Sequence, residues 1–195
     1  MISKVINAIQ NNLLVCFPTE TVYALGCSAL NKEAIRKIYY VKRRSQNKPL
    51  TISVSDIYNL TKIANLHEKY FNLVEYFSPG PVTYILPLKS KDILPIEFFK
   101  SSVGVRIPSH PIAISILDKL KIPIVTTSVN ISGEKSIYRA RNIPQCIKHH
   151  LSAIIRDDNL VSGIESTVID LTGDEIKILR NGIASLQIMS FRAKN

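Results

Sequence analysis

The chain contains no tryptophan, and its 195 residues include only 7 glycines, 4 histidines and 3 cysteines. The lack of tryptophan excludes nothing. The shortage of cysteine says more: Cys16, Cys27 and Cys146 are an odd number without metal-ligand spacing, so neither a disulfide framework nor a zinc site is indicated. Reduced thiols in the cytoplasm are the expectation. Acidic residues are also in short supply, with 15 Asp and Glu against 25 Lys and Arg, and the net charge of +10 favours anionic partners such as nucleotides or RNA. The cations are scattered along the chain, which suits a solvated positive surface better than a disordered nucleic-acid arm. No apolar run approaches the roughly 18 residues needed to span a bilayer. Met1 is followed by a mixed amphipathic stretch and not by the charged and apolar segments of a signal peptide. A soluble, cytoplasmic protein without a membrane partner is expected. No Pro/Gly/Ser-rich joint, internal repeat or low-complexity segment divides the sequence, so residues 1–195 are expected to form one domain.

Familiar catalytic signatures are missing too. There is no Gly-x-x-x-x-Gly-Lys-Ser/Thr loop and no Gly-x-Gly-x-x-Gly, which argues against a P-loop or a Rossmann site. Ser166 sits in Gly163-x-Glu165-Ser166-Thr167, not in a Gly-x-Ser-x-Gly elbow, and no base for acyl-enzyme chemistry can be pointed to. His67, His110 and the pair His149-His150 lack a triad or metal partner in sequence and read as structural or solvated.

What is present centres on residues 15–54. An apolar run over residues 13–17 reads as a buried strand and breaks at Pro18 into the hydroxyl-rich turn Thr19-Glu20-Thr21. A helix over 32–41, capped by Asn31 and burying Ala34, Ile35, Ile38 and Tyr39, delivers Lys42, Arg43, Arg44 and Lys48, and Pro49 is expected to stop it. A second strand follows at 50–54. Hydroxyls at a strand end facing cations at a helix end suit an anion; a capped turn beside a solvated basic loop accounts for the same residues.

Before this stretch, Ile2, Val5, Ile6 and Ile9 mark a helix over 2–10 with Ser3 as its cap. Small and apolar residues over 21–29 suggest a chain packed beneath a site. Further helices are expected at 55–63, at 67–77 with Tyr70, Phe71, Val74 and Phe77 inward, at 111–120 and at 144–151. Pro79-Gly80-Pro81 must break the second of these. Strands are expected at 82–88, 103–108, 122–126, 153–156, 168–171 and 176–179, with Gly173-Asp174 turning the last pair, and a short fraying helix at the end. Arg106 lies within an apolar strand, where it needs either a buried ion-pair partner or a ligand. Strands and helices alternate early and hairpins come late, so the fold class is α/β, a mixed β-sheet with packed helices.

The chemistry-bearing residues are therefore phosphate-suited cations (Lys42, Arg44, Arg106, Arg180) and strand-end hydroxyls or amides (Thr19, Ser128, Asn130, Ser166). Triphosphate chemistry needs positive charge to neutralise the phosphates and fixed donors to place an attacking group in line.

Seven segments occur in the order of a known pattern: Pro18-Thr19-Glu20-Thr21-Val22-Tyr23, Lys42-x-Arg44 before Pro49-Leu50, Pro79-Gly80-Pro81-x-Thr83, Val103-Gly104-Val105-Arg106-Ile107-Pro108, Ser128-x-Asn130, Gly163-x-Glu165-Ser166-Thr167 and Leu179-Arg180-x-Gly182. Together they resemble the YrdC-like family of threonylcarbamoyl-AMP synthases over about residues 10–185. The resemblance implies a twisted sheet with a positively charged concave face. It also implies conversion of ATP, bicarbonate and L-threonine to threonylcarbamoyl-adenylate and pyrophosphate, with Mg²⁺ accompanying ATP. A partner transferase complex then modifies tRNA. By the same resemblance, Lys42, Arg44, Ser128 and Asn130 carry the characteristic catalytic site. Lys42, Arg44 and Arg180 neutralise phosphate, Lys48, Ser102 and Ser136 lie near ATP, and Ser128 and Asn130 orient the nucleotide. Threonine falls to Thr19, Arg106 and Ser166, and to Ser53, which stands where the family has a histidine. No metal site built by the protein itself is implied. Other departures are Ala24 for a glycine, Ser78 for a frequent Trp and Val129 for the usual Ala. The chain resembles the short, single-domain branch. A second reading of the same fold and charge is a non-catalytic module that binds tRNA or double-stranded RNA directly.

Overall fold

The computed structural model describes residues 1–194, with side chains up to Phe191; Asn195, the last residue of the expected domain, lies outside the described residues. The chain opens with helix α1 (Ile2–Gln10), whose Val5, Ala8 and Ile9 are buried. Ser3 is not its cap: the N-cap is Met1, without a side-chain bond, and Ser3 lies inside the first turn. Strand β1 (Leu14–Pro18) and strand β2 (Tyr23–Ser28) then form an antiparallel hairpin around the Thr19-Glu20-Thr21 turn. The stretch expected only to pack beneath a site is thus itself a fully buried strand, and hairpins are not confined to the end of the chain.

Helix α2 (Lys32–Val41) begins where the Ala34 N–H donates to Asn31 Oδ1 at 2.8 Å. It ends at Lys42, because Arg43 adopts the left-handed region with φ of 50°, and Pro49, expected to stop it, lies well beyond. Strand β3 (Thr51–Ser53) leads to helix α3 (Ile57–Ile63), capped by Asp56, then to a 3₁₀ turn and helix α4 (Phe71–Tyr76). Leu73 and Val74 are the buried residues of α4, and Phe71, expected inward, is 42% exposed. Strands β4 (Val82–Pro87) and β5 (Ser102–Arg106) follow, then helix α5 (Pro111–Leu120), which His110 caps through Nδ1. Strand β6 (Ile124–Ser128), helix α6 (Gln145–Lys148), strand β7 (Leu151–Ile154), the antiparallel pair β8 (Thr167–Asp170) and β9 (Lys177–Arg180), and helix α7 (Ser185–Lys194) complete the order. The helix expected at 144–151 is shorter, and the strand after it starts two positions earlier than 153.

Among the described residues nine strands form one mixed sheet in the order β7-β1-β2-β6-β3-β5-β4-β8-β9. Its two faces bury different clusters. Tyr23, Leu25, Ile52, Tyr84, Val105, Val125 and Ile169 join α2, α3, α4, α6 and α7 in the larger core. Residues of alternate parity, Val15, Phe17, Ala24 and Ile124, pack with α1 and α5 in the smaller one. These two helices cover only the β7-β1-β2-β6 end. From the end of β6 onward the same face carries Thr126, Ser53, Arg106, Gly104 and Thr83 beside Ile85 and Val168, and a cavity is left there.

Candidate functional site

A cavity of about 500 Å³ opens on this face, within the range of small-molecule sites. Five cations line it (Lys42, Arg44, Lys48, Arg106 and Arg180), against two carboxylates, Glu134 and Glu165.

Lys42, at the end of α2, is 1% exposed. Its Nζ donates to Asn130 O at 2.7 Å, to Asn130 Oδ1 at 3.0 Å and to Ser128 O. An ammonium has three protons, so all are committed to β6 and the loop after it. Ser128 Oγ also donates to Asn130 Oδ1 at 2.5 Å, Asn130 Nδ2 donates to Glu134 O at 2.7 Å, and the Ser132 N–H donates to Lys42 O at 2.8 Å. The helix end, the strand end and the 130–134 loop are thus tied at one point. Burial, and then the Arg44 guanidinium, lower the Lys42 pKa to about 7, with Glu165 opposing. Arg44 is itself anchored to the Lys48 and Pro49 carbonyls at 3.2 and 2.9 Å, and burial and Arg180 lower its pKa.

Arg106 ends β5 in a buried ion pair, Nη2 to Glu20 Oε1 at 2.7 Å. Arg106 Nε and Glu20 Oε2 are both buried without a hydrogen-bond partner, which is costly. The buried ion pair that the sequence allowed for Arg106 is therefore present, and Arg106 also lines the cavity. Across the sheet order β5-β4-β8-β9 lie, in turn, Arg106, Thr83, Ser166 just before β8, and Arg180. Thr83 and Ser166 share a hydroxyl–hydroxyl bond of 2.9 Å. Arg180 donates to Ser166 O and Oγ, each at 2.9 Å, and pairs through Nη1 with Glu165 at 2.8 Å. On the other side Ser53 Oγ meets Thr126 Oγ1 at 2.7 Å. The Thr19 hydroxyl donates to Val22 O at 2.7 Å and accepts from Thr21 at 2.9 Å, so it shapes the turn.

Of the residues singled out from sequence, Thr19, Lys42, Arg44, Lys48, Ser53, Arg106, Ser128, Asn130, Ser166 and Arg180 line this one cavity. Ser102 does not; it is exposed at the far end of β5, paired with Pro87. Ser136 stands outside the lining and donates to Glu165. Sequence reasoning missed Glu20, Glu165 and Thr126 as site-builders. A carboxylate in the same hydroxyl-rich motif as a candidate ligand was the available signal for the first two.

Residues 7–182 match the family Sua5_yciO_yrdC, described as "Telomere recombination". The chain is 34% identical over 176 residues to the threonylcarbamoyl-AMP synthase of Bacillus subtilis, covering 89% of this chain but 51% of that protein. It is 35% identical over 179 residues to the putative threonylcarbamoyl-AMP synthase of Methanocaldococcus jannaschii, covering 92% of this chain and 84% of that one. The structure superposes on that of P. abyssi Sua5 complexed with L-threonine with a TM-score of 0.87 at 35% identity, covering 93% of this chain and 54% of that one. The chain therefore spans about half the length of some of the relatives it matches. With a family match over 7–182 and this superposition of the sheet and its helices, the chain belongs to the Sua5/YciO/YrdC family.

Proposed function

We propose that this chain is a threonylcarbamoyl-AMP synthase, a nucleotidyltransferase that makes an adenylate from ATP, bicarbonate and L-threonine. The observation that carries the reading is the sequence of donors across one cavity: a buried, half-satisfied Arg106, the Thr83–Ser166 hydroxyl pair, and Arg180 with Arg44 and Lys48 beyond. Arg106 suits a carboxylate, which a guanidinium can bind by a bidentate fork. The more exposed cations suit a triphosphate. The threonine amine would add to bicarbonate with loss of water, and a carbamate oxygen would attack the α-phosphorus, displacing pyrophosphate. Arg44, Lys48 and Arg180 would neutralise the phosphates, and Ser128 and Asn130 would orient the nucleotide from the loop that Lys42 holds.

Mg²⁺ would enter with the triphosphate and be held mainly by phosphate oxygens, as one or two protein carboxylates suffice. Glu134 and Glu165 on the cavity wall are the side chains of that type. Among the described residues no cluster of His, Cys, Asp or Glu is arranged to hold a metal by itself. A transferase complex acting on tRNA would consume the adenylate.

The test is pyrophosphate release from ATP, assayed with and without threonine and bicarbonate, alongside Arg106→Ala and Arg180→Ala. Release should need both co-substrates and fall at least about 100-fold in each variant. Release independent of threonine would sink the reading, and RNA-binding assays would then come first.

A further inference from the structure

The Glu20–Arg106 pair is unlike the other ion pair at the cavity. Its side chains are 14% and 11% exposed, whereas those of Glu165 and Arg180 are 36% and 45% exposed. It closes through one nitrogen only, leaving Arg106 Nε and Glu20 Oε2 buried and unsatisfied. A bidentate closure would have satisfied both groups, and this pair does not make it. Arg106 lines the cavity and Glu20 does not, so Glu20 reaches a ligand only through Arg106. Its effect is electrostatic: the pair is neutral as a unit, yet Arg106 keeps nitrogens that no protein acceptor among the described residues engages. A single carboxylate can use such donors. A polyphosphate, attracted by net charge, gains little there and gains more beside Arg44 and Lys48, whose side chains pair with no carboxylate among the described residues.

We propose that Glu20 is a positioning residue that sorts the two anionic substrates, cancelling the charge of Arg106 so that this end of the cavity takes the amino-acid carboxylate and refuses the triphosphate. This rests on the synthase reading for the identity of the substrates, while the sorting is testable without turnover.

Inorganic tripolyphosphate is the probe. By calorimetry the wild-type chain and Glu20→Asp, which keeps the charge, should bind it at one site, and Glu20→Gln at two. In pyrophosphate release, Glu20→Gln should raise KM for threonine by about tenfold while changing kcat far less, and tripolyphosphate should become competitive with threonine in that variant alone. A folded Glu20→Gln with one tripolyphosphate site and an unchanged threonine KM overturns the proposal. Arg106→Ala decides independently should Glu20→Gln fail to fold. It should leave tripolyphosphate affinity unchanged, and a loss of about tenfold or more would place the polyphosphate on Arg106 and overturn the sorting. Absence of threonine-dependent release in the wild type would fail the synthase reading, and the tripolyphosphate stoichiometry and the Arg106→Ala result would still decide the sorting.

Discussion

A lysine with every proton committed to backbone and amide oxygens does different work from a lysine waiting for phosphate. Lys42 is visible in the sequence as a cation at a helix end, and the family resemblance groups it with Arg44, Ser128 and Asn130 in one site. The three oxygens that take its protons are not visible, because two of them are main-chain carbonyls whose direction depends on how β6 meets the next loop. Lys42→Met should remove the tie and leave these acceptors buried, costing about 2 kcal/mol of stability in denaturant unfolding. The pH dependence has a definite sign. The folded-state pKa is about 7 against an ordinary 10.5, so between these values the unfolded chain holds a proton that the folded chain has lost. Wild-type stability should therefore rise with pH across this window relative to Lys42→Met, by at most about 1.4 kcal/mol per pH unit. A flat difference curve from pH 7 to 10.5 would refute the lowered pKa.

Elements position the site by their ends. Helix α2 starts on the Asn31 cap, and removing that cap with Asn31→Ala should cost about 1 kcal/mol in a thermal melt. Its far end is held separately by Lys42, so the same variant should leave the KM for both substrates within about twofold. A raised KM for ATP would mean that the cap and the site are coupled through the helix. At the other side of the cavity, the turn after β9 presses on the Glu165-Ser166-Thr167 segment. A Cβ on Gly182 would meet Glu165 O and Thr167 N at 2.4 Å and Ser166 C at 2.5 Å, all backbone atoms that cannot move aside singly. Gly182→Ala should cost about 2 kcal/mol or more and reduce turnover, because the displaced segment carries Ser166 and Glu165. Unaltered turnover would mean that the clash is relieved without moving the site.

At the scale of the molecule, the open face of the sheet gives the cavity its charge, five cations against two carboxylates on the wall. The two anion positions should respond differently to ionic strength. ATP affinity should fall by about tenfold between 50 and 500 mM NaCl, while threonine affinity should change by less than about twofold, since Glu20 neutralises Arg106. Equal salt dependence for the two ligands, measured by calorimetry, would contradict that division. Among the described residues no helix is long and apolar enough to cross a membrane, in line with the absence of a long apolar run.

The sequence by itself determined the local elements and the chemical inventory. Apolar period located α1, α2 and α5, the Asn31 cap fixed the start of α2, the prolines around Gly80 placed a break, and the hydroxyls and cations singled out at strand ends were largely those that line one cavity. These follow from interactions between near neighbours in the chain. Tertiary structure decided what depends on distant pairing: that residues 23–28 are a strand hydrogen-bonded to both β1 and β6, that α1 and α5 cover only half of one face, and that Glu20 stands behind Arg106, 86 positions away in the sequence. A strand's neighbours and a buried carboxylate's partner are fixed by packing across the whole sheet. No local pattern records them.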